Sequence, residues 1–274
     1  MINSVKLIIK NWNFTSKNEE EEELIAEEPL SIRVQGKPYA VVMRTPGDEI
    51  AHVAGFSLAE GIVDSPEDLN DIAFCDGEDT NVVAVTLKAP RQEQIAEIMD
   101  RREFVSQTSC GLCGKEIVKD LFQSIRPISD GAHIDIHQAY NCLETLSEYQ
   151  PLRSRTRAAH AAALYSSDGE QLAVAEDVGR HNALDKAVGR LFLNRTLTQA
   201  SLLVLSSRIS YELVQKAARA RIPVILAVSR PTSLAVQLAA KLNITLACRA
   251  KKEPGLYIFC GEERLVGSGI GPHK

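Results

Sequence analysis

Residues 201–228, SLLVLSSRISYELVQKAARARIPVILAV, predict a strand, a helix and a second strand in direct succession. The apolar runs near 201–206 and 222–228 have the length of buried strands, and the segment 209–220 between them has helical periodicity. Strands that are joined by a crossover helix run parallel, with a right-handed connection. This stretch therefore predicts an α/β fold.

The same alternation covers the chain from residue 158 onward. We expect strands near 159–165, 171–175, 244–249 and 256–260, and helices near 181–193 and 232–242. Ligands collect beyond the carboxyl ends of parallel strands, so the residues after each strand are candidates for a site. They are unusually polar, and they comprise Glu176-Asp177 through Arg180-His181, Ser206-Ser-Arg208, and Ser229-Arg-Pro-Thr232-Ser233.

Four segments are predicted along the chain. Residues 1–28 form an acidic arm whose glutamates are solvated, and 29–105 form a small α+β domain. Residues 106–150 form a cysteine-bearing loop with connecting helices, the last of them at about 136–149. Residues 151–274 form the C-terminal α/β domain.

Turn and cap residues place the elements of the α+β domain. Two strands flank Gln35-Gly-Lys-Pro38, and Thr45-Pro-Gly-Asp48 opens a helix that runs to about Gly61. Ser65-Pro-Glu-Asp68 has the cap, proline and acids of a second helix start. A hairpin with strands near 72–74 and 82–87 follows, and then an amphipathic helix at 92–102.

The composition excludes several classes of protein. A net charge of −5 and a pI of about 5.8 argue against a general nucleic-acid binder, which needs excess Lys and Arg. The start of the chain has no apolar segment of the length that a signal peptide or a membrane span requires. We therefore expect a cytoplasmic protein that does not bind membranes.

Two of the six cysteines lie in the irregular segment Ser106–Gly114, while Cys75, Cys142, Cys248 and Cys260 have apolar surroundings that indicate packing. The pair Cys110-Gly-Leu-Cys113 precedes a helical segment at 115–125. The helix N-terminus and Lys115 would lower the pKa of a thiol there and favour the thiolate nucleophile. Such a loop suits a sulfur carrier.

Spacing alone leaves other uses of the cysteine pair open. A zinc site needs further ligands, which His133 and His137 could supply at helical spacing. A redox dithiol normally begins a helix after a strand in a small βαβ unit, and this pair follows a helix and a polar stretch. A connector with incidental cysteines is the fourth possibility.

A second constellation is Glu176-Asp-Val-Gly-Arg-His-Asn-Ala-Leu-Asp-Lys186, where a strand passes through Gly179 into a helix. It can hold an anion such as a phosphate, or it can consist of helix caps and surface ion pairs. Capping is also the simplest role for Ser206, Ser207, Thr232 and Ser233. His160, within an alanine-rich strand, has the pattern of a core histidine.

Together, Ser109-Cys-Gly-Leu-Cys-Gly-Lys115, the 176–186 block and Arg208-Ile-Ser-Tyr-Glu-Leu-Val-Gln-Lys216 resemble the FdhD family of formate dehydrogenase accessory sulfurtransferases. Thr45-Pro-Gly-Asp48 and Pro231-Thr-Ser-Leu-Ala-Val236 also match, in the same order along the chain. The resemblance covers about residues 28–266.

The resemblance implies a function and a fold. Family members accept persulfide sulfur from a cysteine desulfurase and pass it to the molybdenum bis(molybdopterin guanine dinucleotide) cofactor, which the formate dehydrogenase apoenzyme then receives. By this resemblance Cys110 carries the persulfide and Cys113 assists, with no permanent metal. The fold would be a three-layer α/β/α core like that of cytidine deaminase with a smaller N-terminal α+β domain, in a homodimer. A cofactor-binding chaperone without sulfur transfer is the main alternative.

The resemblance also implies that the cofactor lies against the late strand, near the polar strand ends. The predicted cofactor-binding residues are Leu256, Tyr257, Ile258, Phe259, Cys260, Gly261, Asp177, Arg180, His181, Asn182, Ser207, Arg208, Ser229 and Thr232. The chain departs from the family where Arg157 and Ala158 replace two glycines and Ser206 replaces a common glycine. These larger side chains are expected to narrow a guanine pocket or to replace its backbone contacts.

Overall fold

The computed structural model describes residues 2–12, 16–76, 79–102, 125–129, 131–251 and 253–267. The chain begins with an antiparallel hairpin of β1 (Ser4–Trp12) and β2 (Lys17–Ile25). The predicted acidic arm is therefore a hairpin, and its glutamates form the second strand. Most of its side chains are exposed, so alternating burial could not reveal these strands in the sequence.

A four-stranded sheet follows, with strand order β4-β3-β6-β5. Its strands are β3 (Glu28–Val34), β4 (Lys37–Arg44), β5 (Leu69–Asp76) and β6 (Asp79–Leu87). Helix α1 (Glu49–Ala59) lies between β4 and β5, and α2 (Ala89–Arg102) follows β6. These elements confirm both predicted strand pairs and two of the three predicted helices.

The predicted helix at Ser65 is the third, and it is only a 3-10 turn over Pro66–Asp68. Ser65 and Asp68 form a capping box, so the start signal is correct. The helix stops after one turn because strand β5 begins at Leu69. The predicted helix at 115–125 falls almost entirely outside the described residues.

The middle of the chain connects the two sheets through short elements. They are β7 (Ile134–Asp135), α3 (Ile136–Glu144), a 3-10 helix (Thr145–Tyr149) and α4 (Pro151–Thr156). The predicted helix at 136–149 thus changes to 3-10 geometry after Glu144. Asp135 caps α3 by accepting from the backbone N–H groups of His137 and Gln138.

The C-terminal half forms a six-stranded sheet with strand order β13-β12-β11-β10-β8-β9. The strands are β8 (His160–Tyr165), β9 (Gln171–Asp177), β10 (Leu202–Leu205), β11 (Val224–Ala227), β12 (Thr245–Arg249) and β13 (Leu256–Cys260). The helices are α5 (Arg180–Leu193), α6 (Tyr211–Arg219) and α7 (Ser233–Lys241), and β14 (Leu265–Val266) pairs with β7. These bounds confirm the predicted alternation.

Strand direction determines which residues share an edge of this sheet. Strands β10, β11 and β12 are parallel, whereas β8 runs antiparallel to both β10 and β9. Strand β9 therefore points the same way as β10. The carboxyl ends of β9 to β12 lie at one edge, which we call the polar edge, together with the start of β8.

Helices cover both faces of the six-stranded sheet. Leu203, Leu205 and Ile225 pack into one hydrophobic cluster with residues of α1, α5, α6 and α7. Leu202, Val204 and Leu226 pack on the other face with residues of α3. This arrangement is a mixed α/β fold.

Helices α1 and α5 join the two sheets through two glycines. A Cβ at Gly189 would lie 1.7 Å from the carbonyl oxygen of Ala51, and one at Gly55 would lie 2.0 Å from that of Asp185. Only glycine permits this helix contact. The cluster that includes α1 and α5 also contains Leu30 and Ile32 of β3, so the two sheets share one core. The division into domains at residue 105 stays a prediction.

Candidate functional site

The polar edge brings together segments that are far apart in the sequence. The backbone N–H of Ser206 donates to the carbonyl of Ala161 at 3.1 Å, and that of Val228 donates to Leu205 at 3.0 Å. His160 pairs with Asp177 in the strand register. The ends of β9, β10 and β11 and the start of β8 are thus neighbours, as the predicted topology requires.

Asp177 lies beneath this edge, and both oxygens of its carboxylate have partners. Oδ1 accepts from the backbone N–H of Gly179 at 2.8 Å and from the Asn182 amide at 2.9 Å. Oδ2 accepts from the backbone N–H of Thr45 at 3.0 Å and forms an ion pair with Lys186 Nζ at 2.7 Å. The side chain is completely buried. Asp177, which we predicted to bind a cofactor, therefore fixes the turn between β9 and α5.

Asn182 has the same structural role. Its side-chain amide also donates to the carbonyl of Met43 at 2.7 Å, and Lys186 Nζ donates to the carbonyl of Thr45 at 2.7 Å. The loop between β4 and α1 is thereby attached to the start of α5. Thr45 itself accepts from the backbone N–H of Val178 through Oγ1 at 3.0 Å.

Arg180 and His181 follow this fixed turn and are half-buried. Arg180 Nε is buried and finds no hydrogen-bond partner among the described residues. His181 Nε2 lies 3.2 Å from Ser210 Oγ and 3.8 Å from Glu212 Oε2. A buried guanidinium N–H without a protein partner has an unmet need for an acceptor.

His160 belongs to the same group, although the sequence indicated a core histidine. Its Nδ1 is buried and likewise has no partner among the described residues. Burial, and then the charges of Arg180 and Arg153, lower its pKa below the ordinary value. Burial and the charge of Arg180 also lower the pKa of His181, to about 4. Both rings are therefore neutral at pH 7 beside a permanently charged guanidinium.

The loops after β10 and β11 hold four of the predicted cofactor-binding residues. Ser207 is buried and donates to the carbonyl of Arg208 at 2.9 Å, while Arg208 is exposed. Thr232 caps α7 by accepting from the backbone N–H of Ala235 at 3.2 Å. Ser229 is exposed near the polar edge.

Arg230 is a functional candidate that we did not single out from the sequence. Its guanidinium lies 5.3 Å from the centre of the Tyr257 ring, over the edge strand β13. Such a pair joins the loop after β11 to the predicted cofactor strand. The signal was present, since Arg230 stands within the polar segment 229–233.

Only the first part of β13 lies at the polar edge, because β13 runs antiparallel to β12. Leu256 and Tyr257 pair with Arg249 and Cys248, whereas Cys260 pairs with Leu246 toward the opposite edge. Tyr257, Ile258 and Phe259 are 37%, 36% and 38% exposed. Cys260 donates to the carbonyl of Ile244 and Gly261 adjoins Thr245, so these two residues have packing roles.

A cleft of about 240 Å³ opens beside His181. Phe56, Glu60, Asp185, Glu212 and Lys216 are among its lining residues. Lys216 Nζ lies 2.8 Å and 2.7 Å from the two carboxylate oxygens of Asp185. Burial raises the pKa of Asp185 to about 6, against the opposing charge of Lys216. The site thus combines a charged guanidinium and two neutral imidazoles with an adjacent cleft that has charged side chains in its lining.

Arg157 and Ser206 are two of the three positions where the chain departs from the family pattern. Arg157 ends α4 in the left-handed region, at φ 57°, which is a conformation that favours glycine. Ser206 Oγ accepts from the backbone N–H of Ala161 at 2.8 Å. The serine therefore strengthens the contact between β8 and the loop after β10. Cys110 and Cys113 lie outside the described residues, as does the region around them.

Residues 25–266 match the model of the FdhD/NarQ family. The chain belongs to this family. It is 45% identical over 253 residues to the sulfur carrier protein FdhD of Streptomyces coelicolor, across 89% of each chain. It is 43% identical over 237 residues to the sulfur carrier protein FdhD of Mycobacterium tuberculosis, across 82% of this chain and 85% of that one.

A solved structure supports the fold. A crystal structure assigned as a formate dehydrogenase accessory protein from Desulfotalea psychrophila superposes with a TM-score of 0.77. The match covers 97% of this chain and 100% of that chain at 22% sequence identity. The resemblance seen in the sequence motifs is confirmed. Among the described residues no helix has the length and apolar character for crossing a membrane.

Proposed function

We propose that the protein is a cytoplasmic sulfur carrier that loads a molybdenum cofactor for formate dehydrogenase. Its relatives are named sulfur carrier proteins, and the cysteine pair Cys110 and Cys113 supplies the required thiols. The observation that supports binding of the acceptor is that Arg180 Nε, beside His160 and His181 at the polar edge, has no hydrogen-bond partner among the described residues. A guanidinium with two neutral imidazoles suits a diphosphate group.

In this proposal Cys110 receives sulfur by thiol exchange. The Cys110 thiolate attacks the terminal sulfur of a persulfide on a cysteine desulfurase. The new S–S bond forms as the old one breaks, and the desulfurase cysteine leaves as a thiolate. The proton on the terminal sulfur remains with it, so no oxidant or reductant is needed. Cys113 stands close enough in sequence to shield or share the product.

The acceptor in this proposal is bis(molybdopterin guanine dinucleotide) with its molybdenum, held as cargo. Arg180 and the two histidines would bind a diphosphate, and Tyr257 with Arg230 would offer a stacking surface for a guanine ring. The cargo then passes to the formate dehydrogenase apoenzyme. We further propose that the chain acts as a homodimer and that its core is layered like that of cytidine deaminase.

Complementation in cells tests the function as a whole. Cells that lack their own accessory protein receive the wild-type chain or its Cys110→Ala, Cys113→Ala or Cys75→Ala variant. Cys75 is an exposed free cysteine on β5 and serves as the control. We expect Cys110→Ala to abolish formate dehydrogenase activity and Cys75→Ala to preserve it. Full activity with Cys110→Ala would favour a cofactor chaperone without sulfur transfer and would reject the proposal.

A further inference from the structure

The hairpin of β1 and β2 has two unlike faces. Val5, Leu7, Ile9 and Leu24 lie on one face, and they are 48%, 48%, 36% and 45% exposed. Glu22 stands opposite Leu7, and Glu20 stands opposite Ile9. We call this set the aliphatic face. Neither strand contributes a lysine or arginine to it, so a row of aliphatic side chains borders carboxylates on a solvent-exposed ribbon.

The opposite face balances its own charges. Lys6 Nζ lies 2.7 Å from Glu21 Oε1, and Lys10 stands opposite Glu19. Lys17 lies over the Trp12 ring at 5.8 Å. This face also exposes Ile8 and Trp12, by 74% and 79%. The aliphatic face differs because its carboxylates have no lysine or arginine of either strand beside them. A two-stranded ribbon is only marginally stable alone, and exposed apolar patches rimmed by polar groups mark interaction sites.

The hairpin is attached to the body of the protein near the polar edge. Arg155 of α4 lies 3.1 Å from Glu23, which belongs to the charge-balanced face. The chain continues from α4 through Arg157 to His160, the first residue of β8. The charge-balanced face therefore lies toward α4 at Glu23, and the aliphatic face lies on the other side of the hairpin.

We propose that the aliphatic face docks a cationic amphipathic helix of a partner protein. Apolar side chains of that helix cover Val5, Leu7, Ile9 and Leu24, and its lysines or arginines pair with Glu20 and Glu22. All residues of this surface precede residue 25, where the match to the family model begins. The inference does not depend on sulfur transfer.

Charge decides among the possible occupants. A second copy of the aliphatic face would bring two sets of carboxylates to one interface, where each needs a cation that neither copy supplies. An anionic lipid surface would repel Glu20 and Glu22. A basic helix satisfies both the apolar and the acidic parts of this surface.

Binding of a defined peptide to the full-length protein tests the proposal. The probe is a synthetic peptide of about 18 leucine and lysine residues with leucines at the spacing of one helical face, and its control is a scrambled peptide of equal composition. Leu7→Thr should weaken binding about ten-fold, because a buried leucine contact is lost while strand propensity is kept. Ile8→Thr, on the charge-balanced face, should leave the affinity within about two-fold.

A second matched pair examines the charges without changing the apolar surface. Glu22→Gln should weaken binding about two-fold or more and reduce its dependence on salt, whereas Glu21→Gln should do neither. Amide hydrogen exchange along β1 and β2 verifies that each variant keeps the hairpin. Equal binding of the scrambled peptide, equal loss with Ile8→Thr, or no binding would overturn the proposal. Self-association that Leu7→Thr abolishes, or binding to anionic vesicles in place of the peptide, would also overturn it.

Discussion

Lys186 Nζ lies 2.7 Å from Asp177 Oδ2 in the fully buried layer beneath the polar edge. Both members of this ion pair also bind Thr45: Asp177 accepts a hydrogen bond from its backbone N–H, and Lys186 donates one to its carbonyl. The strand-to-helix turn that carries Arg180 and His181 is thus attached to the loop between β4 and α1. The position of the candidate site depends on groups that do not themselves face a ligand.

Loss of Lys186 should destabilise the protein strongly. Lys186→Met leaves the buried Asp177 carboxylate without its cation, and we expect the free energy of unfolding to fall by about 3–5 kcal/mol. Urea denaturation followed by circular dichroism measures this change. Lys251→Met removes an exposed lysine and should change stability by less than about 0.5 kcal/mol. Equal stability of the two variants would show that the pair does not stabilise the turn.

Arg180 should control nucleotide affinity. Arg180→Gln removes the guanidinium whose Nε has no hydrogen-bond partner in the described part of the chain, and we expect guanosine diphosphate to bind about ten-fold or more weakly. Calorimetric titration measures the dissociation constant. Arg33→Gln, on an exposed position of β3, is the control and should bind as the wild type does. An unchanged affinity in Arg180→Gln would place the nucleotide elsewhere.

His181 should make the folded protein less stable in mild acid. Its folded pKa of about 4 lies below the ordinary value of 6.5, so the unfolded chain takes up the proton first as pH falls. The stabilisation from the neutral ring is complete above about pH 6.5 and is lost on acidification toward pH 4. Because the ring is only partly buried, we expect the free energy of unfolding of the wild type to fall by about 1–2 kcal/mol. His181→Gln should not show this decrease. Denaturation at several pH values would contradict this if both proteins lost stability equally.

An anion bound beside His181 should oppose the lowering of the His181 pKa that burial and Arg180 cause in the free protein. The negative charge favours the imidazolium, so binding of guanosine diphosphate should raise the pKa of His181. By linkage, affinity for the nucleotide should increase as pH falls from 7 toward 5 in the wild type and should increase less in His181→Gln. Nuclear magnetic resonance of the imidazole protons follows the pKa directly. If the pKa of His181 stays the same with saturating nucleotide, contact between His181 and the nucleotide is excluded.

Gly189 should be intolerant of even one methyl group. Gly189→Ala places a Cβ against the carbonyl of Ala51 and forces α1 and α5 apart, so we expect destabilisation of about 1–3 kcal/mol. The matched change Ser154→Ala, on an exposed position of α4, should be nearly neutral. Reversible thermal unfolding measures the stability of both variants. A Gly189→Ala protein as stable as the wild type would mean that the helix contact is looser than the structure has it.

Most of the C-terminal sheet was predictable because its strands and helices have distinct apolar patterns. The segment 201–228 folds as β10, α6 and β11, as its apolar runs indicate. The first hairpin escaped prediction because both faces of β1 and β2 are largely exposed and contain adjacent charges. Ser65 correctly marked a helix start, but strand pairing of β5 ended that helix after one turn.

The candidate site was predictable in outline and less so in detail. The sequence placed polar residues at strand ends, and the strand directions bring Arg180, His181 and Ser229 to one edge. The spacing of the residues could not show that the Asp177 side chain is buried. Neighbouring side chains at the end of a strand point alternately toward the core and toward solvent. Nor could the spacing show that β13 runs antiparallel to β12, which leaves Cys260 far from that edge.

Mass spectrometry of Cys110 after incubation with a cysteine desulfurase and cysteine tests the account most directly. We predict an adduct of about 32 Da, the mass of one sulfur atom, on Cys110 in the wild-type chain and in Cys113→Ala. The adduct should be absent from Cys110→Ala, and reduction with a thiol should remove it. A wild-type chain that remains unmodified at Cys110 while the desulfurase carries its own persulfide would contradict the sulfur-carrier function.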